Sequence, residues 1–562
     1  MTAETIIDLY APFERDTILE VRTSRMKTMP GLTIQSGIDK ELRPGRIPVT
    51  SLGLDADEHD LTFHGGKDKA VHGYCSSHYP QWQREFPEAS SRFRPGGFGE
   101  NLVTEHMNER NVCIGDVVAI GDDNVLLQVS LPRQPCFKLN HRFQLKKFAP
   151  NTYKLSRTGW YYRVLREGTV QAGDEIRLVE RKHPKWTIER VQEYLHRTTD
   201  DVEMNEELSK IADMGDESRK IFEGRVAKLK AKQKRLALTD GEEKAEKDNW
   251  RDYKIVEKRG QTPRVKSFIL EAADTPNEGQ SDEDWNKEVE PGSYARIKLP
   301  NGLLRSYSIV SGTARRFELG IALEEPSRGG SVFFHGTAEP GDVVQIGRIA
   351  CDVRSASAAS NHVFIVGGIG ITAFLRMAER YREINYEATV HYGVRNPEEV
   401  PFRDRLDALG PAVRLYDASK GQRMDIAAIL RDLPWNSHVY VCGPRRMLDE
   451  AAREAKACGL GEDEVHLEAF AADTTGDPFE AVISNRDDKV VTVPGDDTLL
   501  EVLRQHFDDV PSSCEVGNCG TCKVGLKGGN VEHRGTALLE AEKMESMLSC
   551  VSRGIGRITI EI

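Results

Sequence analysis

Residues 513–522 read SCEVGNCGTC, which places three of the ten cysteines of a 562-residue chain within one short loop. The spacing is Cys514-x4-Cys519-x2-Cys522, and Cys550 follows after 27 further residues. This is the ligand spacing of a plant-type [2Fe–2S] site. Three thiolates from one loop surround a cluster only if the backbone turns back on itself, and Gly517 and Gly520 supply the small residues that this needs. Loop amides can then bond the cluster sulfurs. Structural zinc usually shows paired short cysteine spacings, whereas this region has a single C-x-x-C. Buried free thiols are the other alternative.

At 562 residues the chain is too long for one core and should divide into roughly three to five domains. Acidic residues outnumber basic ones, 89 to 77, for a net charge of −12, which argues against a general nucleic-acid or anionic-membrane surface. No apolar run approaches the length needed to cross a bilayer. The start, MTAETIIDLYAPFERDT, lacks an apolar leader core, so the cytosol is the expected location. Ten unevenly spaced cysteines then suggest metal or catalytic thiols rather than a disulfide framework.

Residues 1–181 alternate short β-branched runs with glycine turns and predict a β-barrel. WTIERVQEYLHR (186–197) and EELSKIADM (206–214) carry apolar residues at helical spacing, and Ile211–Phe222 continues the pattern. The stretch 225–250, basic and then acidic, reads as a solvated helix end and linker, closing a small helical region over 182–245. Strands resume over 246–356. From 362, HVFIVGGIGITAFLRMAERY runs from apolar strand through glycine turn to helix, and HVYVCGPRRMLDEAAREA (438–455) repeats that grammar. A parallel α/β domain over 357–472 follows from the alternation. The small-residue stretch AADTTGDP (471–478) leads into the last segment, 473–562, with its cysteine loop.

Two stretches suit a flavin. In Arg305-Ser306-Tyr307-Ser308 the tyrosine can face the isoalloxazine ring, the serine can bond its edge, and the arginine can neutralise a phosphate. Ser327-Arg328-Gly329-Gly330-Ser331 offers bare amides, hydroxyls and a cation for a terminal phosphate. Gly367-Gly368-Ile369-Gly370-Ile371-Thr372 lets a pyrophosphate approach a helix start, although it lacks the G-x-G-x-x-G spacing. Cys442-Gly443-Pro444 ends a parallel strand where a nicotinamide lies in an open α/β sheet; a buried structural thiol is the alternative for Cys442.

Residues 251–562 resemble the phthalate dioxygenase reductase family, which joins a flavin barrel, an NAD domain and a C-terminal ferredoxin domain, here of β-grasp type. The resemblance implies FMN contacts at Arg305, Tyr307, Ser308, Arg328, Gly329, Gly330 and Ser331. It implies nicotinamide-nucleotide contacts at Gly368, Gly370, Thr372 and Cys442, and cluster ligands at Cys514, Cys519, Cys522 and Cys550. Phe470 matches the aromatic that ends the nucleotide domain near the flavin, with core packing as the alternative. The family favours NADH, while Arg395 is a candidate for a 2′-phosphate, so NAD(P)H is the open form.

Near the front, HGGKDKAVH (64–72) is a glycine turn crowded with cationic or titratable groups, and RQPCFKLN (133–140) sets Cys136 between Arg133 and Lys138. Nearby cations favour the thiolate, the form that ligates metal, although a lone cysteine also serves as a packing residue. His59, His64, His72 and His78 invite a zinc reading, but their spacing is irregular. These stretches, with GWYYRVLREGTVQAGDEIRL (159–178), resemble the MOSC family and its YiiM-like branch, which carries a small helical appendage. The resemblance implies Cys136 as ligand to the molybdenum of a pterin cofactor, with Arg133, Lys67, Lys69 and His64 as anion contacts. Lys67 stands where proline is common in the family.

The expected fold is therefore a MOSC β-barrel, a small helical domain, an FMN-binding barrel, a parallel α/β nucleotide-binding domain and a ferredoxin-type domain. The expected function is an oxidoreductase passing electrons from NAD(P)H through FMN and [2Fe–2S] to molybdenum, reducing a small, N-hydroxylated substrate. The alternative is an electron-transfer reductase serving an external acceptor protein such as an oxygenase, with the MOSC domain in binding or sulfur transfer. A scaffold without cofactors is the non-enzymatic alternative.

Overall fold

The computed structural model describes residues 10–61, 64–122, 125–238 (backbone only from 231), 250–273, 285–325, 327, 329–351, 353, 356, 358–507 and 510–562. It divides into two compact units, residues 1–243 with 357–360, and 244–356 with 361–562.

In the first unit a sheet closes on itself. Strand Arg15–Thr23 pairs with Leu102–Thr104 on one side and Glu175–Glu180 on the other. The ring continues through Val117–Ile120, Val125–Pro132, Trp160–Arg166 and Val71–Cys75, seven strands in all. Alternation along the strands turns Ile18, Val118, Ile120, Leu127, Val129 and Tyr162 into the interior. The same core takes in Trp186, Ile188, Val191, Leu195, Leu208, Ile211, Met214 and Phe222 from the helical region. Helices Ile188–Gln192, Val202–Ser209 and Asp216–Leu238 thus finish the barrel's core rather than building one of their own.

The continuous apolar pattern through Ile211–Phe222 does not give one helix. The chain turns ahead of Asp216, where the Gly215 N–H bonds the Ser130 carbonyl of the barrel at 2.8 Å. A Cβ on Gly215 would lie 2.3 Å from Leu131, so tight packing against the barrel overrides the periodicity. The basic run that followed extends this last helix to Leu238.

The second unit has three layers of organisation. Six strands, Arg251–Gly260, Val265–Ala272, Arg316–Ala322, Leu304–Gly312, Ser293–Lys298 and Val343–Cys351, form a closed barrel. Five parallel strands follow in the spatial order Val413–Asp417, Glu387–Val394, Asn361–Gly367, Ser437–Cys442, Val465–Glu468. Helix Ile371–Glu383 packs on this sheet through Ile371, Phe374, Leu375 and Ala378, the i, i+3, i+4, i+7 stripe of an amphipathic helix. The last five strands make a mixed sheet in which Phe479–Ile483 runs parallel to Arg553–Glu561. Helix Leu499–Arg504 lies on it, opened by a capping box between Thr498 and Glu501.

Candidate functional site

The cysteine loop folds as its spacing requires. Gly517 and Gly520 take left-handed φ values of 84° and 73°, and a Cβ on Gly517 would meet Gly535 at 2.8 Å. The turn aims backbone N–H groups at sulfur: those of Asn518 and Cys519 reach Cys514 Sγ at 3.3 and 3.4 Å, and that of Thr521 reaches Cys519 Sγ at 3.5 Å. Among the described residues no three side chains converge on a single-ion site. The thiols instead fall into two pairs, with Cys522 and Cys550 3.1 Å apart and Cys514 bonded to Cys519. Two irons with two thiolates each need that division. Hydrogen bonding from its partner pulls the Cys519 thiol down to about 5 and lowers Cys522 as well, while Cys514 and Cys550 are raised. Thiolate character, amide donors and small residues at the turn all suit a [2Fe–2S] cluster.

A cavity of about 1280 Å³ extends from this loop. Its wall includes Cys514 and Cys519, then Phe470 and Thr372 of the α/β domain, then Arg305, Tyr307, Ser308, Gly330 and Ser331 of the six-stranded barrel. The strand Leu304–Gly312 presents Tyr307 and Ser308 there, and Tyr307 packs edge-on to Phe334 at 5.4 Å. The phosphate-loop candidates fold as a tight turn: Gly329 has φ 92°, its N–H bonds Ser327 Oγ at 3.1 Å, and Ser327 and Ser331 hydroxyls are 2.9 Å apart. A Cβ on Gly330 would sit 2.6 Å from the Tyr307 hydroxyl, so the loop and the tyrosine need each other's shape. Arg328 lies outside the described residues. A cavity of this size, with two hydroxyls, a ring and bare loop amides, fits a flavin beside a nicotinamide.

The nucleotide crevice explains its glycines in the same way. A Cβ on Gly370 would come 2.3 Å from the carbonyl of Cys442, so only glycine lets the helix start pack on the neighbouring strand end. Gly368 has φ 54°, and its carbonyl accepts the Tyr392 hydroxyl at 2.9 Å. Thr372 Oγ1 donates to the Ile369 carbonyl at 2.9 Å. Cys442 is fully buried, opposite Glu468 in the sheet register, and burial holds its thiol well above the ordinary value.

In the first unit, Cys136 caps helix Phe137–Phe143 and lines a second, small cavity of about 60 Å³ with Arg133, Lys138, His64, His59, His72, Lys40, Asn101 and Tyr161. Two of its cations are neutralised: Lys138 by Asp60 at 3.0 Å, and Lys40 by Asp57, which also accepts from Asn101 at 2.8 Å. Among the described residues no carboxylate pairs with Arg133. It is 3% exposed, its guanidinium reaches Tyr161, and its Nε and Nη1 have no partner among the described residues. Burial keeps His64 well below its usual value and brings His72 down to about 3, with the Arg133 charge adding to each. Both are neutral near pH 7. A thiol beside a guanidinium with no carboxylate partner among the described residues suits an anionic metal centre.

Lys67 and Lys69 do not line this cavity: Lys67 is exposed, and the Lys69 ammonium pairs with Glu217. His78 is elsewhere too, paired with Glu109 at 2.7 Å. Lys40, Asp57, Asn101 and Tyr161 escaped sequence reasoning, since they come from four separate segments and no spacing links them.

Comparison with known proteins agrees with the fold. The chain matches the MOSC domain over residues 60–177, the YiiM-like 3-alpha helix domain over 186–229 and the 2Fe-2S iron-sulfur cluster binding domain over 482–553. A reductase of Gibberella moniliformis is 36% identical over 564 residues, covering 97% of this chain and 95% of that protein. The heme-dependent oxidative N-demethylase beta subunit of Ectopseudomonas mendocina is 33% identical over 309 residues, 54% of this chain and 96% of its own. The solved phthalate dioxygenase reductase is 27% identical with a TM-score of 0.44, covering 56% of this chain and 98% of that one. Fold and site together define an NAD(P)H-dependent iron–sulfur flavoprotein oxidoreductase. The chain belongs to the family of the Gibberella reductase: a MOSC domain with a YiiM-like three-helix domain, followed by a phthalate dioxygenase reductase-like module and its 2Fe–2S domain.

Proposed function

We propose that the chain carries reducing equivalents from NAD(P)H through FMN and a [2Fe–2S] cluster to a molybdenum cofactor on Cys136, and there reduces a small N-hydroxylated compound. When bound, the flavin converts a hydride pair into single electrons, the cluster relays them singly, and molybdenum exchanges oxygen with substrate. The chain's own residues bind and orient. Tyr307 and Ser308 set the flavin ring, while Arg305, Arg328, Gly329, Gly330 and Ser331 hold its phosphate. Gly368, Gly370 and Thr372 receive the nucleotide pyrophosphate, with Cys442 at the nicotinamide and Phe470 near the flavin. Cys514, Cys519, Cys522 and Cys550 hold the cluster. Cys136 is the metal's thiolate, and Arg133 and His64 face its anionic ligands. The observation that carries the electron path is the one cavity bounded by Tyr307, Thr372, Phe470 and Cys514. Its extension to molybdenum is supported by the unpaired Arg133 beside Cys136.

A second reading has its own support, because the N-demethylase relative is by its name one subunit of an enzyme. On it, electrons pass to a separate acceptor protein, and the MOSC domain binds a partner or carries sulfur. One assay separates the two. Purified protein is assayed for molybdenum and iron, then for NADH-driven reduction of an N-hydroxylated substrate with and without Cys136→Ala. We expect both metals, and loss of substrate reduction in the variant with ferricyanide reduction unchanged. Iron without molybdenum, or full substrate reduction by Cys136→Ala, defeats the molybdenum reading.

A further inference from the structure

The loop that carries Cys514 is bolted on both flanks, and the bolts are side chains with no part in binding the cluster. On one flank stands the six-stranded barrel. Tyr294 and Ser513, the residue before Cys514, share a hydroxyl–hydroxyl bond of 2.6 Å. Arg296 donates to the Ser512 carbonyl at 3.2 Å and to Glu515 Oε1 at 3.0 Å, and Arg348 donates to the same carbonyl at 2.7 Å. Arg504, from the ferredoxin domain itself, closes the group by donating to Glu515 at 2.8 Å. On the other flank stands the α/β domain: Asn518 Nδ2 donates to the Ala469 carbonyl at 2.7 Å, and Asn518 Oδ1 accepts the Ala469 N–H at 3.2 Å.

Two features make this more than routine packing. First, the anchoring residues are in register with the flavin strand. Tyr294 pairs directly with Ser308 across the sheet, Ala295 with Tyr307, and Arg296 with Ser306. The path from the Arg305–Ser308 motif to Cys514 is therefore one cross-strand pairing and one hydrogen bond. Ala469, likewise, immediately precedes Phe470 at the cavity wall. Second, the contacts are buried and charged: Arg296 is 5% and Ser513 3% exposed. Glu515, next to Cys514, holds a left-handed φ of 56°, a conformation that a non-glycine residue keeps only when its surroundings fix it. The two guanidinium groups on its carboxylate do so.

We propose that Arg296, Arg348 and Tyr294 on one side, and Asn518 on the other, are positioning residues for the flavin-to-cluster step, fixing the Cys514 edge of the cluster against the flavin strand. The proposal rests on the reading that electrons pass from flavin to cluster. A hydride from NAD(P)H brings two electrons, and each single transfer reduces one ferric iron to ferrous. The clamp sets the geometry of that transfer and leaves hydride uptake alone.

The test uses the full-length, cofactor-replete protein and two acceptors: ferricyanide, reduced directly from the flavin, and cytochrome c, reduced through the cluster. In Arg296→Gln and Arg348→Gln we expect cytochrome c reduction to fall by about tenfold to a hundredfold, the scale of an ångström-sized misplacement. Ferricyanide reduction, KM for NADH, iron content and the cluster's EPR signal should stay at wild-type values, and Arg296→Lys should recover part of the rate. Full cytochrome c reduction in both glutamine variants overturns the proposal. So does a parallel fall with both acceptors, or loss of iron from both variants, since either marks a structural role. Cys550→Ser tests the underlying reading separately: if it still reduces cytochrome c at the full rate, electrons do not travel by the cluster, and that reading is what fails.

Discussion

His196 shows how burial and neighbouring charge together move a side chain's chemistry. It stacks on Tyr153 with ring centroids 4.3 Å apart, its Nε2 has no partner among the described residues, and burial lowers it to about 4, with the Arg225 and Arg197 charges adding to the effect. A histidine depressed in the folded state takes up its proton more readily once unfolded. Its contribution to stability is thus complete above about pH 6.5 and is lost as the pH falls through the interval down to about 4. Denaturant titrations of the wild type and His196→Gln at pH 7 and pH 4.5 check this. The wild type should lose about 2 kcal/mol more than the variant on acidification, a figure reduced for the partial exposure of the ring. An equal loss in both would show that His196 is already charged in the fold. Nothing in YLHRTT distinguishes His196 from any surface histidine. Its depressed value comes from burial first and then from the Arg225 and Arg197 charges, all of which depend on tertiary folding.

The helices that follow the first barrel were legible as helices, because their apolar spacing is local. Their role was not. The resemblance implied a small helical appendage, which the chain has, and Phe222 of it is fully buried in the same core as Ile114, Val129 and Trp160. Removing its ring leaves a cavity within that shared core, so Phe222→Ala should cost about 3–5 kcal/mol. The loss should fall on the barrel as well as the helices, in one unfolding transition of the unit followed by near-UV circular dichroism. Two separate transitions, with only the weaker one shifted, would mean the helices fold on a core of their own. Strands and glycine turns of the α/β domain are readable because strand, turn and helix follow one another directly, as in 361–383, although the strand end that Gly370 packs on, at Cys442, comes from later in the chain. The chain turn before Asp216 was missed because its cause, Leu131 pressing on Gly215, lies in the barrel.

As a whole, the chain joins an electron-delivering module to a barrel with a candidate metal pocket in one polypeptide. Covalent linkage makes any transfer between them intramolecular, with an effective concentration in the millimolar range for short flexible connections. Each unit has its own hydrophobic core, so the chain can be divided within 239–249. On the proposed molybdenum reading, NADH-driven reduction of an N-hydroxylated compound by the mixed halves should then depend on their concentration, falling steeply on dilution to about 1 μM, while the intact chain keeps a constant turnover per molecule. Concentration-independent turnover by the halves would mean that the join contributes nothing. Ferricyanide reduction by the C-terminal half serves as the control.

The spacing of the four candidate cluster cysteines, the order of the folds and the candidate flavin and nucleotide motifs are legible in the chain alone. A ligand loop, a strand period and a glycine turn are all written within a few consecutive residues, so their physics is local. That Arg133, among the described residues, is the cavity's cation without a carboxylate became visible only in the folded chain, because the acids that neutralise Lys40 and Lys138 sit at Asp57 and Asp60. It alone brought Arg296 and Ala469 to the two flanks of the cysteine loop. Those contacts join residues up to some two hundred positions apart in the chain. Their energies depend on burial and mutual orientation, which exist only once the chain has folded.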